Sequence, residues 1–424
     1  MKRLLISALI LLLALPFLTG QNFAKWFGTG ALRVNLVMAG NAESSEYFLG
    51  KIFHEPYFSG NPNQLIDPFN YGDHKFCVYD KASGELIYSQ TFCTLFFEWQ
   101  TTGDAAVNRR AFSYAARFPQ PLHPVILEIS DRKADGVFEK KFSAEIDPAS
   151  WDIEPFRSAG YELKDIRING APDHKVDLLM LAEGYTADEM EKFFADAERM
   201  TNAIFSEEPF ASRKQDFNVR ALASVSEESG TDLPGKGIWK NTILNTRYYT
   251  FGSERYLTTD DFIRVAELSA EAPCDHVLIL VNSAKYGGGG IYNFYSLAAV
   301  DDKLSEPVLK HEFGHGFAGL GDEYYESDVA YESYFPLDVE PWNPNLTTLV
   351  DFARKWKNMV PAGVPVPTPL TPEYKDGVGV FEGGGYVAKG VYRPVNYCRM
   401  RVNNAVFCPV CSRAIEDMIF RYTR

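Results

Sequence analysis

Residues 305–324 read SEPVLKHEFGHGFAGLGDEY. Ser305, Glu306 and Pro307 are typical of a helix start: a capping hydroxyl, an acid for the positive helix end and a first-turn proline. Apolar residues flank the His-Glu-x-x-His core, which predicts that the helix is buried. Gly319 and Gly321 predict its end and a turn immediately after it.

Three side chains of this helix form a candidate metal centre. His311 and His315 are four residues apart, so both imidazoles project from one face and can reach one zinc ion at about 2.0–2.1 Å. Glu312 can reach a water at the metal without binding the metal, which predicts a general base. Two surface histidines beside a solvated Glu would be the unremarkable alternative. Burial of the helix argues against it, and Gly314 and Gly316 weaken a helix in a way that indicates close packing or function.

A third ligand is expected just after the helix. An ionised carboxylate binds zinc readily, and we favour Asp322 over its neighbour Glu323. Either carboxylate could instead hydrogen-bond a ligating histidine from outside the metal's coordination sphere.

Preceding residues alternate between strands and helices. Val176–Leu181 is apolar except for Asp177, as expected of a strand buried on both faces. The runs Thr186-x-x-Glu189 and Thr258-x-x-Asp261 predict helix starts. Two further strands are predicted, at 217–225 and 276–281. The pattern predicts an α/β catalytic domain with helices packed on a mixed sheet, over residues 159–424.

The stretch 287–290 is four consecutive glycines, without the Gly-Lys-Ser/Thr that a phosphate loop would need. It predicts a flexible loop or a strand entry. The segment 291–300 after it suits an exposed edge strand, to which an extended peptide could add as a further strand.

The first half has short strand-length segments separated by Gly and Pro, which predicts an all-β sandwich. A Pro- and Gly-bearing stretch at 147–160 is the best boundary, which places this domain at residues 21–158. A group of aromatic residues could form a carbohydrate platform, but strand-spaced aromatics are more often core. They are Tyr79, Phe92, Phe96, Phe97 and Trp99.

Composition excludes some partners. Hydrophobic residues make up 46% and charged residues 23%, as in soluble globular proteins. The 56 acidic residues outnumber the 42 Lys and Arg, giving a net charge of −14. Because this field repels phosphate backbones, nucleic acid is not an expected partner.

Residues 1–20 resemble a secretory signal peptide. Lys2 and Arg3 precede an apolar stretch from Leu4 to Leu18 that is short for a membrane span. No Cys follows for lipid attachment, so a secreted, periplasmic or cell-surface protein without stable membrane insertion is expected. A retained N-terminal anchor is the alternative.

Export makes disulfides feasible, and the cysteines are Cys77, Cys93, Cys274, Cys398, Cys408 and Cys411. Cys77 and Cys93 flank a predicted hairpin, where a local bridge is plausible. For the C-terminal group we favour a structural disulfide; a redox pair lacks thioredoxin-like context, and a second zinc site is a third option.

The motif His311-Glu312-x-x-His315-x-x-x-Gly319-Leu320-x-Asp322-Glu323-Tyr324 resembles that of the immunoglobulin A metallo-endopeptidase family, a metzincin-like group. The resemblance implies a β-sandwich followed by a zincin domain, with the two histidines as ligands and Glu312 as base. Metzincins have two residues between the second His and the glycine, whereas this chain has three. They also place a methionine beneath the metal, and Met400 is the similar position, although plain core packing is its commoner role.

The sequence therefore predicts an exported zinc endopeptidase that acts on a protein or peptide through a zinc-activated water. A zinc hydrolase of a non-peptide amide or glycan-linked substrate is one alternative. A non-catalytic binding protein on the same fold is another, although the intact motif argues against it. Tyr397, Tyr324 and Tyr392 are equally eligible as oxyanion donors.

Overall fold

The computed structural model describes residues 22–325 and 335–424. The predicted signal segment at 1–20 lies outside them. Within the described ranges, no helix is both long and apolar enough to cross a bilayer.

The N-terminal region is β-rich. Its strands are β1 (Phe27–Asn41), β2 (Ser44–Glu55), β3 (His74–Asp80), β4 (Leu86–Phe92), β5 (Arg110–Pro121), β6 (Val125–Arg132), β7 (Phe138–Ile146) and β8 (Glu154–Pro155). Two short helices accompany them, α1 (Phe23–Trp26) and α2 (Leu95–Gln100).

These strands form two four-stranded sheets, in the orders β5-β1-β2-β8 and β4-β3-β6-β7. Strands β3 and β6 alternate strictly between buried and half-buried residues, as expected where one face of a sheet packs on a core and the other faces solvent. Phe92, Phe96 and Trp99 belong to that core. The prediction that these aromatic residues belong to the core is therefore confirmed for these three, and the alternative of a carbohydrate platform is wrong for them.

The C-terminal region is mixed α/β. Its strands are β9 (Leu163–Arg167), β10 (Val176–Glu183), β11 (Phe217–Leu222), β12 (His276–Val281), β13 (Gly288–Ile291), β14 (Tyr295–Ala299), β15 (Phe381–Gly384) and β16 (Val387–Arg393). Its α-helices are α3 (Met190–Ile204), α4 (Phe210–Arg213), α5 (Phe262–Ser269), α6 (Ser305–Ala318) and α7 (Pro409–Thr423).

A six-stranded sheet has the order β13-β14-β12-β10-β11-β9, and only its edge strands β13 and β9 run antiparallel to their neighbours. Every residue of β10 is buried, as its apolar run predicts. Leu178 and Met180 face the core shared with α3, α6 and α7, whereas Leu179 and Leu181 face α5 and the sandwich. The sheet therefore lies between two hydrophobic cores, one of which includes α6 and the other the sandwich.

The structure confirms some of the local predictions and contradicts others. The Thr186–Glu189 capping box is present, and Asp261 caps α5 by accepting from the Arg264 N–H at 3.2 Å. The predicted edge strand at 291–300 is wrong: its core is β14, which is buried inside the sheet, and the glycine-rich β13 forms the edge. For these glycines the sequence predicts only a flexible loop or a strand entry, because they lack the side chains that mark a strand.

Candidate metal centre

Helix α6 begins one residue earlier than predicted, at Ser305. Its N-cap residue is Leu304, and the Leu304 N–H donates to Asp302 Oδ1 at 2.8 Å. The prediction that Ser305 caps the helix is wrong, because Ser305 lies inside the first turn. The helix ends as predicted at Gly319, whose φ of 65° is left-handed and turns the chain back toward the histidines.

Three donor atoms converge on one point. His311 Nε2 and His315 Nε2 lie 3.0 Å apart, and Asp322 Oδ1 lies 3.2 Å from each of them. Tetrahedral zinc with bonds of about 2.0–2.1 Å would separate its ligand atoms by about 3.3 Å. The triangle therefore has the size that a zinc ion requires.

Backbone carbonyls hold both imidazoles. His311 Nδ1 donates to the Arg399 carbonyl at 3.0 Å, and His315 Nδ1 donates to the Leu320 carbonyl at 2.6 Å. In each neutral ring the proton is then on Nδ1, which leaves the Nε2 lone pair directed at the common point.

The Asp322 carboxylate supplies the third donor atom of the triangle. Its Oδ2 accepts the hydroxyl of Tyr386, while its buried Oδ1 has no hydrogen-bond partner among the described residues. Burial alone would raise the pKa of Asp322, but the two imidazoles hold it well below its usual range. Burial alone would lower the pKa of His315, but Asp322 overrides it and raises that pKa to about 9. The raised pKa of His315 is consistent with a set of donor atoms that attracts a positive charge, and the geometry of the set fits a metal ion.

Glu312 lies next to this triangle in the same cleft. Burial raises its pKa, and the imidazoles of His311 and His315 act in the opposite direction. Its side chain packs on the edge strand, since a Cβ on Gly288 would lie 2.9 Å from Glu312 Oε1. A carboxylate in a cleft with a raised pKa is suited to accept a proton.

The cleft has a volume of about 520 Å³ and is lined by both regions of the chain. Strand β13 contributes Gly288 and Gly290, and the β-rich region contributes Thr94 and Glu98. Glu98 accepts the Tyr256 hydroxyl at 2.7 Å. Burial is the main reason that the pKa of Glu98 rises to about 7. None of these N-terminal residues was predicted to be near the centre, because no local pattern marks them.

Met400 lies beneath the helix. It is fully buried, and a Cβ on Gly314 would approach its Sδ to 3.0 Å. Its carbonyl accepts the Glu323 N–H at 2.8 Å. A methionine therefore supports the turn of α6 that carries both histidines.

The carbonyl that holds His311 is itself anchored. The Arg399 side chain donates to Glu207 Oε2 at 2.6 Å, and Lys310 donates to the same oxygen at 2.8 Å. Burial alone would raise the pKa of Glu207, but these two cations lower it. Glu207 was missed from the sequence because about a hundred residues separate it from α6.

Glu323 faces away from the histidines. It is fully buried and accepts from Asn345 Nδ2 at 3.0 Å, in a cluster with Cys398, Cys408 and Cys411. Of the two candidate carboxylates, only Asp322 faces the two Nε2 atoms.

The cysteines are all free thiols. The predicted Cys77–Cys93 bridge is wrong because Cys77 is paired with Ser89, and Cys93 lies beyond the end of the hairpin. No disulfide joins the C-terminal cysteines either.

Of the tyrosines considered as oxyanion donors, Tyr324 lines the cleft. Tyr397 is 61% exposed and donates to Asn404, so it does not serve the centre. Tyr392 is not among the cleft residues. Tyr386, which sequence reasoning missed, reaches the centre because the Gly385 and Tyr386 N–H groups pair with the Asp322 and Tyr324 carbonyls at 2.8 and 2.9 Å.

Comparison with known proteins gives two family matches and no match among curated proteins. Residues 22–143 match the family described as Peptidase M64 N-terminus. Residues 165–376 and 371–419 match IgA Peptidase M64. The two matches cover the β-rich region and the α/β region in that order, and the second includes the candidate metal centre. The chain therefore belongs to the IgA peptidase M64 family and is a peptidase, a class of hydrolase.

Proposed function

We propose that the protein is an exported zinc endopeptidase with a β-sandwich over residues 21–158 and a metzincin-like catalytic domain over residues 159–424. His311, His315 and Asp322 are the zinc ligands, and Glu312 is the general base. The observation that carries the proposal is the triangle of Nε2, Nε2 and Oδ1 atoms with edges of 3.0–3.2 Å at the base of the cleft.

Zinc, when bound, supplies a Lewis acid that polarises the scissile carbonyl and lowers the pKa of a water. The Glu312 carboxylate accepts a proton from the attacking water and passes it to the nitrogen of the leaving amine. The backbone carbonyls at Nδ1 keep both imidazoles oriented throughout.

We expect the substrate to bind in the cleft as an extended peptide. Strand β13 is the last strand of the sheet, and its Gly288 and Gly290 line the cleft beside Glu312. The Leu257 N–H already donates to the Gly288 carbonyl at 3.3 Å, so a peptide would add to this edge at Gly290. A peptide that pairs with this edge as an added strand would bring its backbone close to the metal ligands. The glycines favour this approach because they add no side chain between the peptide and α6.

The decisive experiment is Glu312→Gln, assayed on an unfolded protein substrate. We expect a loss of about 10²- to 10⁴-fold in kcat with zinc content unchanged, because the base is removed and the ligands are kept. Glu306→Gln on the same helix is the matched control, since Glu306 lies in the first turn, away from the cleft. A Glu312→Gln enzyme that cleaves at the wild-type rate would refute the mechanism. Cleavage of amidated sugars but not of peptides would favour the non-peptide alternative.

Export is tested separately, by N-terminal sequencing of the protein released from cells. The charged and apolar segment over residues 1–20 leads us to expect a mature chain that begins at Gln21. An N-terminus at Met1 in a membrane-associated protein would instead indicate a retained anchor.

A further inference from the structure

A second group of ligand-type side chains lies outside the candidate metal centre. Sulfur atoms of Cys398, Cys408 and Cys411 and a carboxylate oxygen of Glu323 all lie within 4.8 Å of one another. All four residues are buried. They come from three separate segments: the chain just after Asp322, the turn before Met400, and the start of α7.

The start of α7 has a geometry suited to a thiolate pair. Cys408 is the N-cap residue, Pro409 follows it, and the Cys411 N–H donates to Cys408 Sγ at 3.4 Å. An N–H donor and a helix N-terminus both favour a negatively charged sulfur. The four-residue run therefore places two sulfur atoms on one side of the helix end.

The distances match a metal site better than a disulfide. Cys398 Sγ and Cys411 Sγ lie 3.7 Å apart. A disulfide needs about 2.05 Å, whereas two sulfurs on a tetrahedral zinc with bonds of about 2.3 Å lie about 3.7–3.8 Å apart. A disulfide would also use two of the three sulfurs and leave the third beside a buried carboxylate.

That carboxylate lacks a cation. Glu323 Oε1 lies 3.2 Å from Cys411 Sγ, and Glu323 Oε2 is buried without a hydrogen-bond partner in the described part of the chain. No described Lys, Arg or His forms an ion pair with it. A fully buried carboxylate is costly unless a positive charge compensates it.

We propose that Glu323, Cys398, Cys408 and Cys411 bind a second, structural zinc ion. Thiolates with one carboxylate form a donor set that suits zinc, and a closed four-ligand site without an open position is typical of structural zinc.

The second zinc ion would hold in place the two segments that support the candidate metal centre. It joins Glu323, the neighbour of Asp322, to the turn that carries Arg399 and Met400. The Arg399 carbonyl accepts from His311 Nδ1, and the Met400 carbonyl accepts the Glu323 N–H. Because a structural zinc contributes its binding energy to folding, this ion would hold both segments in register beneath α6.

Zinc content of the mature protein, purified without added reductant, tests the proposal. We expect about two zinc ions per chain in the wild type and about one in the His311→Ala/His315→Ala variant. The Cys408→Ser/Cys411→Ser variant should also lose one ion, whereas the control Cys77→Ser, in β3 of the sandwich, should keep both.

A second experiment replaces zinc with cobalt and does not require the cysteine variant to fold. In the His311→Ala/His315→Ala protein, bound Co²⁺ should give a sulfur-to-cobalt charge-transfer band, and all six cysteines should react as thiols after denaturation without reductant. Absence of that band, or a disulfide that involves Cys398, Cys408 or Cys411 in the native protein, would overturn the proposal. Neither readout depends on peptidase activity. The proposed structural zinc site is therefore tested separately from the proposed catalytic function.

Discussion

Asp322 and Tyr386 illustrate how single residues tune the candidate centre. One carboxylate oxygen faces the two imidazoles, while the other accepts the tyrosine hydroxyl. Such outer contacts orient a ligand and adjust its charge, and their removal commonly weakens metal binding.

We therefore expect Tyr386→Phe to weaken zinc binding roughly 10- to 100-fold. The measurement is the free zinc concentration that restores half of the activity to metal-stripped enzyme. Tyr397→Phe is the control, because Tyr397 is exposed and, within the described part of the chain, its hydroxyl donates to Asn404. Equal zinc requirements for the two variants would mean that the Tyr386 hydroxyl does not support the Asp322 carboxylate.

At the level of elements, close contact between α6 and the sheet positions the centre. Ser296 Oγ on β14 donates to the Glu312 carbonyl at 2.9 Å, and the helix has glycine where it crosses the strand. A Cβ on Gly316 would lie 2.3 Å from Ser296 Oγ and 2.8 Å from the Tyr295 carbonyl. The sequence-based interpretation of Gly316 as a close-packing residue is consistent with these contacts.

Gly316→Ala should lower the free energy of unfolding by about 1–3 kcal/mol, because overpacking outweighs the better helix propensity of alanine. Denaturant unfolding measures the change. Gly103→Ala, at a surface turn where a Cβ would meet nothing within 4 Å, is the matched control. A stabilised Gly316→Ala protein would show that α6 has room to move away from β14.

Across the whole molecule, the β-rich region forms part of the cleft that contains the candidate metal centre. The Cys93 N–H donates to the Tyr292 carbonyl at 3.1 Å, and the Tyr256 hydroxyl donates to Glu98. The hydrophobic core is shared as well, since the β12 face that includes Val277 and Ile279 packs in the same cluster as the sandwich. The two regions therefore stabilise each other.

Stability of this shared core should depend on pH through His276. The imidazole is fully buried, its Nε2 lies 2.9 Å from Ser296 Oγ, and burial lowers its pKa to about 3. Its unfolded pKa is about 6.5, so the unfolded chain binds the extra proton between those values and stability falls as pH decreases.

Between pH 6.5 and 5.0 we expect His276 to contribute a loss of about 1.5–2 kcal/mol to the free energy of unfolding. Glu98, whose pKa rises to about 7, contributes a gain in the same window, so the loss is measured as the difference in pH slope between the wild type and His276→Gln. His174→Gln, at an exposed site, should keep the wild-type slope. A His276→Gln protein with the wild-type slope would assign the acid sensitivity to other groups.

Much of the architecture was predictable. The all-buried run at 176–181, the Thr186–Glu189 capping box and the strand at 276–281 rest on local periodicity or on fixed offsets, and the structure has each of them. The family resemblance, drawn from the motif around α6, is confirmed. Predictions that relied on one residue's local chemistry, such as the Ser305 cap and the Cys77–Cys93 bridge, failed because register and neighbouring segments decide those contacts.

The sequence by itself determined the pair of histidines and the adjacent acid, because a spacing of four on a helix places two side chains on one face wherever that helix lies. Only the tertiary structure decided that Asp322 rather than Glu323 faces them. It also decided that Arg399 and Tyr386 support the centre and that Glu98 lines the cleft. These groups come from segments tens to hundreds of residues apart, and their approach depends on sheet order and turn register, which leave no periodic signal in the chain.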